Sequence, residues 1–187
     1  NSLINNNAFT NEAVSLGLIY LLRNPLDVAI SYAEHRNKKI DDIIDIMISN
    51  NALTTTGDIH SKKYPILMSR WDNHIISWQN LKVPKIIIKY EDLLENTEVV
   101  LIKLVKFFEQ KFKFNFHNSE EKIINIIQST NFNKMQSYEK KHGFNEAGKS
   151  LFFRKGKKNQ WKNILTISQK NKILNEFQEI IETFNYL

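Results

Sequence analysis

The most informative absences in this chain of 187 residues concern cysteine and long apolar segments. The lack of cysteine excludes disulfide bonds and metal sites built on thiolates. It is compatible with the reducing cytoplasm, where we expect the protein to be located. No segment reaches the roughly 18 consecutive apolar residues that a membrane-spanning helix needs, so we expect no membrane span.

What the chain has in excess is positive charge. It contains 26 lysines and arginines against 20 aspartates and glutamates, which gives a net charge of +6 at pH 7. A basic protein favours anionic partners, and a phosphorylated nucleotide meets this description as well as nucleic acid does. The length and the 42% hydrophobic content are typical of one globular domain, so we treat residues 1–187 as a single domain.

Two short apolar segments have the composition of strands in a parallel sheet. Residues 18–22 read Leu-Ile-Tyr-Leu-Leu and residues 85–90 read Lys-Ile-Ile-Ile-Lys-Tyr. Such continuous apolar runs are typical of strands buried on both faces. The remaining pattern predicts helices at residues 25–36, 41–49, 64–81, 97–108, 120–128 and 168–184, and loops at 1–14, 53–63 and 138–160. Strands that alternate with helices indicate an α/β fold with a parallel sheet.

The first predicted strand continues directly into a helix start. Asn24 is a good N-cap residue, Pro25 suits the first helical position, and Asp27 places negative charge in the first turn. The free backbone N–H groups of this helix start, next to Arg23, form an anion site. Ser31 lies on the second turn, so a phosphate that contacts both Arg23 and Ser31 must lie beside the helix. Because Asp27 would repel that phosphate, we expect backbone N–H groups or a basic neighbour to hold its carboxylate.

Three further segments have residues suited to binding a nucleotide. Residues 90–93 read Tyr-Glu-Asp-Leu, residues 129–135 read Ser-Thr-Asn-Phe-Asn-Lys-Met, and residues 152–162 read Phe-Phe-Arg-Lys-Gly-Lys-Lys-Asn-Gln-Trp-Lys. Arg154 can bind phosphate oxygens bidentately, and Gly156 allows backbone N–H groups to approach an anion closely. The rings of Tyr90 and Phe132 can stack on a purine at about 1–3 kcal/mol per good contact. Each segment alone also has an ordinary interpretation: a strand end with an acidic helix start, a core phenylalanine, and a solvated basic loop or nucleic-acid patch, respectively.

Taken together and in this order, the four segments resemble the donor-binding segments of the sulfotransferase family, over about residues 18–165. The resemblance implies a P-loop-like, three-layer α/β/α fold with a central parallel sheet. It also implies the donor 3'-phosphoadenosine-5'-phosphosulfate (PAPS), which leaves as 3'-phosphoadenosine-5'-phosphate (PAP), and it implies no metal. The residues that it assigns to the 3'-phosphate are Arg23, Ser31, Arg154, Lys155 and Gly156. The residues that it assigns to the adenosine are Tyr90, Thr130 and Phe132.

The resemblance places the catalytic residues before Asn1. In the family, the lysine of the phosphosulfate loop and a general-base histidine precede the Arg-Asn-Pro segment, and counting back from Arg23 puts both upstream of Asn1. We therefore expect the first strand, the phosphosulfate loop and the catalytic residues to precede this chain, and we nominate no catalytic residue within it. His74 lies on an apolar helix face and is expected in the core, whereas His35 is a candidate for the acceptor cleft.

Two departures from the family pattern follow Gly156. Asn159 and Gln160 stand where the family has a second glycine and an aspartate before its tryptophan. Asparagine tolerates left-handed backbone, so the loop can keep its shape. Residues 162–167 resemble a short dimer motif, but Asn171 replaces its closing glutamate, so dimerisation is possible through an imperfect motif.

These patterns predict an enzyme that moves a sulfuryl group from PAPS to the hydroxyl or amine of a small-molecule acceptor. The acceptor is not identified, and we expect its pocket near residues 38–64 and 138–151. We expect no nucleic-acid partner, although a basic nucleic-acid-binding or adaptor domain that uses residues 155–162 is an alternative, as is an inactive binding module. A nucleotide kinase of related fold would need a Gly-x-x-x-x-Gly-Lys-Ser/Thr loop, and we expect none in this chain.

Overall fold

The computed structural model describes residues 3–4, 7–8, 10–56, 64–145, 147 and 151–186. Its strands are β1 (Leu3–Ile4), β2 (Asn7–Ala8), β3 (Leu18–Leu22), β4 (Leu53–Thr56), β5 (Tyr64–Leu67) and β6 (Lys85–Lys89). Its helices are α1 (Pro25–Arg36), α2 (Ile40–Ile48), α3 (Trp71–Gln79), α4 (Tyr90–Glu95), α5 (Thr97–Phe112), α6 (Ser119–Ser129), α7 (Phe132–His142), α8 (Trp161–Ile164), α9 (Ile167–Glu176) and α10 (Gln178–Thr183). Within these ranges, no helix combines the length and the apolar character needed to cross a membrane.

The two predicted strands pair in parallel. Leu22 at the end of β3 lies opposite Lys89 at the end of β6. Because both strands run in the same direction, the segments that follow them begin side by side. Leu22 is buried, but Ile19 and Leu21 are 47% and 58% exposed, so the prediction that β3 is buried on both faces was wrong. Its exposed and covered residues alternate with the period of two that a strand imposes.

The turn from β3 into α1 forms as predicted. The side chain of Asn24 accepts a hydrogen bond from the backbone N–H of Leu26 at 2.9 Å, and Pro25 occupies the first helical position. The backbone N–H of Asn24 donates to Glu91 at 3.0 Å, which ties the start of α1 to the start of α4. The helix ends at Asn37, whose left-handed backbone (φ 49°) lets its N–H reach the last carbonyl groups.

The hydrophobic core lies where α1, α2, α3, α9 and α10 meet the end of β3. Leu26 and Ala29 of α1 and Ile43 and Ile44 of α2 are at most 1% exposed. Burial of each leucine or isoleucine side chain stabilises the fold by about 1.5–3 kcal/mol. This packing fixes α1 against β3 and therefore fixes the position of Arg23 between them.

Several loops predicted from the sequence contain strands. The segment predicted as a loop at residues 1–14 contains β1 and β2, and the loop predicted at 53–63 begins with β4. Residues 57–63 of that loop lie outside the described ranges. A helix was predicted to begin at residue 64, but β5 lies there, pairs antiparallel with β4, and α3 begins only at Trp71. Pairing with β4 therefore outweighs the local helical spacing in this segment.

Two helix boundaries also differ from the prediction. The long loop predicted from residue 138 begins after His142, where α7 ends. The helix predicted at 168–184 is broken at Phe177 (φ −119°) into α9 and α10. Arg70 donates to the carbonyl oxygen of Glu176 at 2.9 Å and lies 5.5 Å from the centre of the Phe177 ring. A carbonyl group engaged by this arginine is withdrawn from the helical ladder, which accounts for the break.

Candidate functional site

One cleft of about 970 Å³ collects the residues predicted to bind the nucleotide. All eight line it: Arg23, Ser31, Tyr90, Thr130, Phe132, Arg154, Lys155 and Gly156. They come from four separate segments, which the parallel strands and the loop at residues 151–160 bring to one place. Their convergence is a structural finding, whereas their individual binding roles stay predictions.

Arg154 and Lys155 lie against the second turn of α1. One terminal nitrogen of Arg154 (Nη2) donates to the carbonyl oxygen of Ser31 at 2.9 Å and to its Oγ at 3.2 Å. The other (Nη1) forms an ion pair with the Glu34 carboxylate, which also binds Lys155 Nζ at 3.0 Å. Arg154 and Ser31, both predicted to bind the 3'-phosphate, are therefore in direct contact, and a carboxylate that the sequence analysis did not consider lies within the same cluster.

Arg23 approaches the same end of the cleft from β3. Its Nη2 donates to the carbonyl oxygen of Lys157 at 3.3 Å, and its guanidinium lies 4.4 Å from the centre of the Tyr90 ring. Its Nε is buried and has no hydrogen-bond partner among the described residues. A buried N–H group without a partner costs about 1–3 kcal/mol. The protein alone therefore leaves this guanidinium incompletely satisfied, as expected of a group that binds an anion.

Asp27 holds the basic loop in place from the first turn of α1. It is 1% exposed, and its two carboxylate oxygens accept hydrogen bonds from the backbone N–H groups of Asn159 at 2.6 Å and Trp161 at 3.0 Å. The expectation that backbone N–H groups hold this carboxylate is confirmed. Asn159 has left-handed backbone (φ 58°), which confirms that asparagine can replace glycine at this turn.

Glu139 performs the same task at the other end of the loop. It is 3% exposed and accepts hydrogen bonds from the backbone N–H groups of Phe152 and Phe153, the latter at 2.8 Å. One turn earlier, Gln136 donates to the carbonyl oxygens of Phe153 at 2.7 Å and Arg154 at 3.1 Å. The sequence analysis missed Glu139 because it placed a loop from residue 138, where α7 continues, and it missed Gln136 because it predicted no helix over residues 132–137. A buried carboxylate in the last turn of a helix leaves no distinctive pattern in the sequence.

Gly156 lies directly against the ring of Phe132. Its φ is +56°, and a Cβ atom at this position would lie 2.6 Å from two carbons of that ring. Asn131 caps α7 by accepting from the N–H of Asn133 at 3.0 Å, which fixes Phe132 at the first helical position. The Thr130 hydroxyl donates to the carbonyl oxygen of Ile126 at 2.7 Å, so its oxygen is left as an acceptor toward the cleft.

The other end of the cleft is mainly apolar and aromatic. Met47, Met68 and Trp71 line it together with Tyr20 and His74. The Tyr20 hydroxyl and His74 Nδ1 are 2.8 Å apart. Partial removal from water raises the pKa of Tyr20 to about 12 and lowers the pKa of His74, so both groups are neutral near pH 7.

Both histidines considered in the sequence analysis line the cleft. His74 is exposed on the cleft wall, so the prediction that it is a core residue was wrong. His35, the candidate for the acceptor cleft, lies on the wall of the cleft described here. Ile46 and Met47 come from the first segment predicted to line an acceptor pocket, residues 38–64. Among the described residues of the second such segment, 138–151, none lines the cleft.

One motif escaped the sequence analysis. Residues 143–150 read Gly-Phe-Asn-Glu-Ala-Gly-Lys-Ser, so the expectation that the chain has no Gly-x-x-x-x-Gly-Lys-Ser/Thr sequence was wrong. Such a loop binds phosphates where it connects a strand to a helix. Here it follows a helix, α7, and residues 151–160 after it contain no helix. Residues 146 and 148–150 lie outside the described ranges, and the flanking structure gives no support to a kinase.

Comparison with known proteins places the chain in a family. The family model of the sulfotransferase domain matches residues 10–185 of this sequence. Mouse sulfotransferase 1B1 is 28% identical over 163 residues, which cover 81% of this chain and 50% of that protein. Human sulfotransferase 1E1 is 27% identical over 173 residues, with coverage of 87% and 54%. The chain thus spans about half the length of the curated relatives it matches.

Solved structures share the fold at lower sequence identity. Mouse sulfotransferase SULT7A1, solved in complex with PAP, superposes with a TM-score of 0.62 at 23% identity over 87% of this chain and 58% of that chain. Retinol dehydratase, solved with androsterone and PAP, superposes with a TM-score of 0.59 at 18% identity over 87% of this chain and 46% of that chain. The predicted P-loop-like α/β fold is confirmed, and the chain belongs to the sulfotransferase domain family.

Proposed function

We propose that the protein binds PAPS in this cleft and transfers its sulfuryl group to the hydroxyl or amine of a small-molecule acceptor. The observation that carries the proposal is the convergence of the eight predicted residues on one cleft, with cations at one end and rings beside them. Family membership supports it, as does the PAP bound in the structural neighbours.

The cationic end suits a 3'-phosphate. Arg23 and Arg154 present guanidinium groups that can bind phosphate oxygens in pairs, and Lys155 adds a mobile ammonium. The buried Nε of Arg23, which has no partner among the described residues, supports this assignment, because the guanidinium has hydrogen-bonding capacity that the protein leaves unused. Ser31 supplies a hydroxyl beside Arg154, and the left-handed backbone at Gly156 turns the loop toward the cleft.

The neighbouring rings suit an adenosine. Phe132 and Tyr90 both line the cleft, and Arg23 covers one face of the Tyr90 ring. The hydroxyl of Thr130 already donates to the backbone, so it is available to accept a hydrogen bond from the amino group of a purine. These contacts would distinguish a purine nucleotide from free phosphate.

The apolar end of the cleft is the proposed acceptor site. When bound, PAPS supplies an activated sulfuryl group. In the proposed transfer, the acceptor oxygen or nitrogen would form a bond to sulfur as the bond from sulfur to the phosphate oxygen breaks, the acceptor proton would pass to a general base, and PAP would leave. Met47, Met68 and Trp71 would exclude water around an apolar acceptor.

The proposal is tested by calorimetric titration with PAP and with AMP, which lacks the 3'-phosphate. The protein is expressed with any sequence that its gene encodes around this chain. We expect PAP to bind more tightly than AMP, and the Arg154→Ala variant to lose about tenfold or more in PAP affinity, because it loses charged hydrogen bonds to the phosphate. Lys103→Ala removes one positive charge from an exposed position of α5 that does not line the cleft, and it should leave PAP affinity unchanged.

Two outcomes contradict the proposal. Equal binding of PAP and AMP by a folded protein would show that no 3'-phosphate site exists. Binding to mixed-sequence oligonucleotides that weakens steeply with salt, without preference for PAP, would favour the nucleic-acid-binding alternative instead.

A further inference from the structure

The most unexpected group in the cationic cluster is Glu34. It lies on α1 three residues after Ser31, which places both side chains on one face of the helix. Its Oε2 pairs with Arg154 Nη1, and its Oε1 accepts from Lys155 Nζ at 3.0 Å. One carboxylate thus engages two of the three cations to which we assign the 3'-phosphate.

The carboxylate is placed as an anion ligand would be. It uses both oxygens, one toward a guanidinium and one toward an ammonium, which is the arrangement that two phosphate oxygens would adopt. Glu34, Arg154 and Lys155 all line the cleft, so the ion pairs lie within the binding space and not behind it.

We propose that Glu34 is an internal competitor of the 3'-phosphate: it occupies Arg154 and Lys155 in the free protein and leaves them when the nucleotide binds. This inference rests on the proposed function. Glu34 thereby holds both cations ready while lowering the affinity for the nucleotide, which favours release of PAP after each turnover.

The exchange is physically accessible because the competitor is exposed. The side chains of Glu34 and Lys155 are 37% and 46% exposed, and ion pairs of this kind contribute little to stability. A phosphate monoester carries about 1.5 to 2 negative charges at pH 7 and three acceptor oxygens, so it is the stronger partner for the cations. After displacement, the glutamate remains on the same helix face and repels the phosphate across a distance of a few ångströms.

The test compares Glu34→Gln with the unaltered protein in titrations with PAP and AMP. The substitution keeps the length of the side chain and removes its charge. We expect PAP to bind about threefold to tenfold more tightly, because competition and repulsion are both lost, and AMP affinity to stay unchanged. Glu109→Gln on α5 makes the same change of charge at a residue that does not line the cleft, and it should alter neither affinity.

A second variant, Glu34→Ala, removes the hydrogen-bonding groups as well as the charge and should change PAP affinity in the same direction. Circular dichroism melting identifies any variant that fails to fold. Unchanged or weaker PAP binding by both folded Glu34 variants, with the unaltered protein still preferring PAP over AMP, overturns the inference alone. Failure of the unaltered protein and the variants to prefer PAP overturns the proposed function and the inference with it.

Discussion

The basic loop at residues 151–160 is touched by carboxylates of two kinds. Asp27 and Glu139 are 1% and 3% exposed, and each accepts hydrogen bonds from two backbone N–H groups of the loop or its immediate continuation. Glu34 is exposed, and its partners in the loop are the charged side chains of Arg154 and Lys155. The same functional group therefore meets the loop in two different ways.

The two kinds of carboxylate should have different roles: the buried ones fix the shape of the loop, and the exposed one changes its charge. A buried carboxylate that loses its backbone donors, or backbone N–H groups that lose their carboxylate, leave unpaired groups away from water, which is costly. An exposed carboxylate can exchange its partners for water or for a phosphate at little cost. Asp27 and Glu139 should accordingly determine where the loop lies, whereas Glu34 should determine how strongly the loop attracts an anion.

The largest effect is expected from Asp27→Asn. The amide can accept from only one of the two backbone N–H groups and presents its own N–H₂ to the other, so we expect the free energy of unfolding to fall by about 2–4 kcal/mol. Urea denaturation followed by circular dichroism measures this change. Asp42→Asn alters an exposed aspartate of α2 and should change the free energy of unfolding by less than about 0.5 kcal/mol. Equal effects of the two substitutions would contradict the structural role of Asp27.

Glu139→Gln tests the second buried carboxylate. We expect a loss of about 1.5–3 kcal/mol in the free energy of unfolding, because one of the N–H groups of Phe152 and Phe153 loses its acceptor. PAP affinity should fall as well, since Gln136 and Glu139 together hold the backbone that carries Arg154. Glu121→Gln, at an exposed position of α6, provides the control for the change of charge. A stable Glu139→Gln variant would remove the distinction between the two kinds of carboxylate.

The sequence analysis predicted the role of Asp27 but missed that of Glu139, for a physical reason. Asp27 follows a helix cap and shares a helix face with Ser31, so its need for backbone partners follows from neighbours along the chain. Glu34 also shares a helix face with Ser31, but its pairing with Arg154, 120 residues away, depends on where the loop folds. Glu139 lies in a segment predicted as a loop, so its buried position on a helix could not be deduced. The parallel pairing of β3 and β6 explains why the segments that follow these two strands meet.

The same limit explains the errors in the fold. β5 forms because β4 pairs with it, and the break at Phe177 depends on Arg70, which is contributed by a distant segment. His74 follows the apolar spacing of its helix, but the cleft lies on that side, so the position is exposed. In the first two cases, a contact with another segment overrides the local pattern, and in the third the cleft leaves uncovered a helix face that the spacing predicts to be buried.

Gly156→Ala tests how tightly the loop backbone at Gly156 is held against the ring of Phe132. Its positive φ alone should cost about 1–2 kcal/mol, and the clash of the new methyl group with the Phe132 ring should add to this cost. Gly156→Ala in a Phe132→Leu background separates the two contributions, because the smaller side chain relieves the clash but not the backbone strain. Thermal melting should therefore show a smaller additional loss for Gly156→Ala in that background than in the unaltered protein. Equal losses in the two backgrounds would mean that the loop can move away from Phe132.

The smallest effect on stability is expected from Glu34→Gln, the variant predicted to bind PAP more tightly. Both ion pairs of Glu34 are partly exposed, so their removal should change the free energy of unfolding by less than about 1 kcal/mol in urea denaturation. A loss of unfolding free energy as large as that of Asp27→Asn would place Glu34 among the carboxylates that fix the loop. The distinction between buried and exposed carboxylates would then be wrong. A small loss of stability together with a gain in affinity is the combination expected of a residue that tunes charge within a loop whose shape is fixed elsewhere.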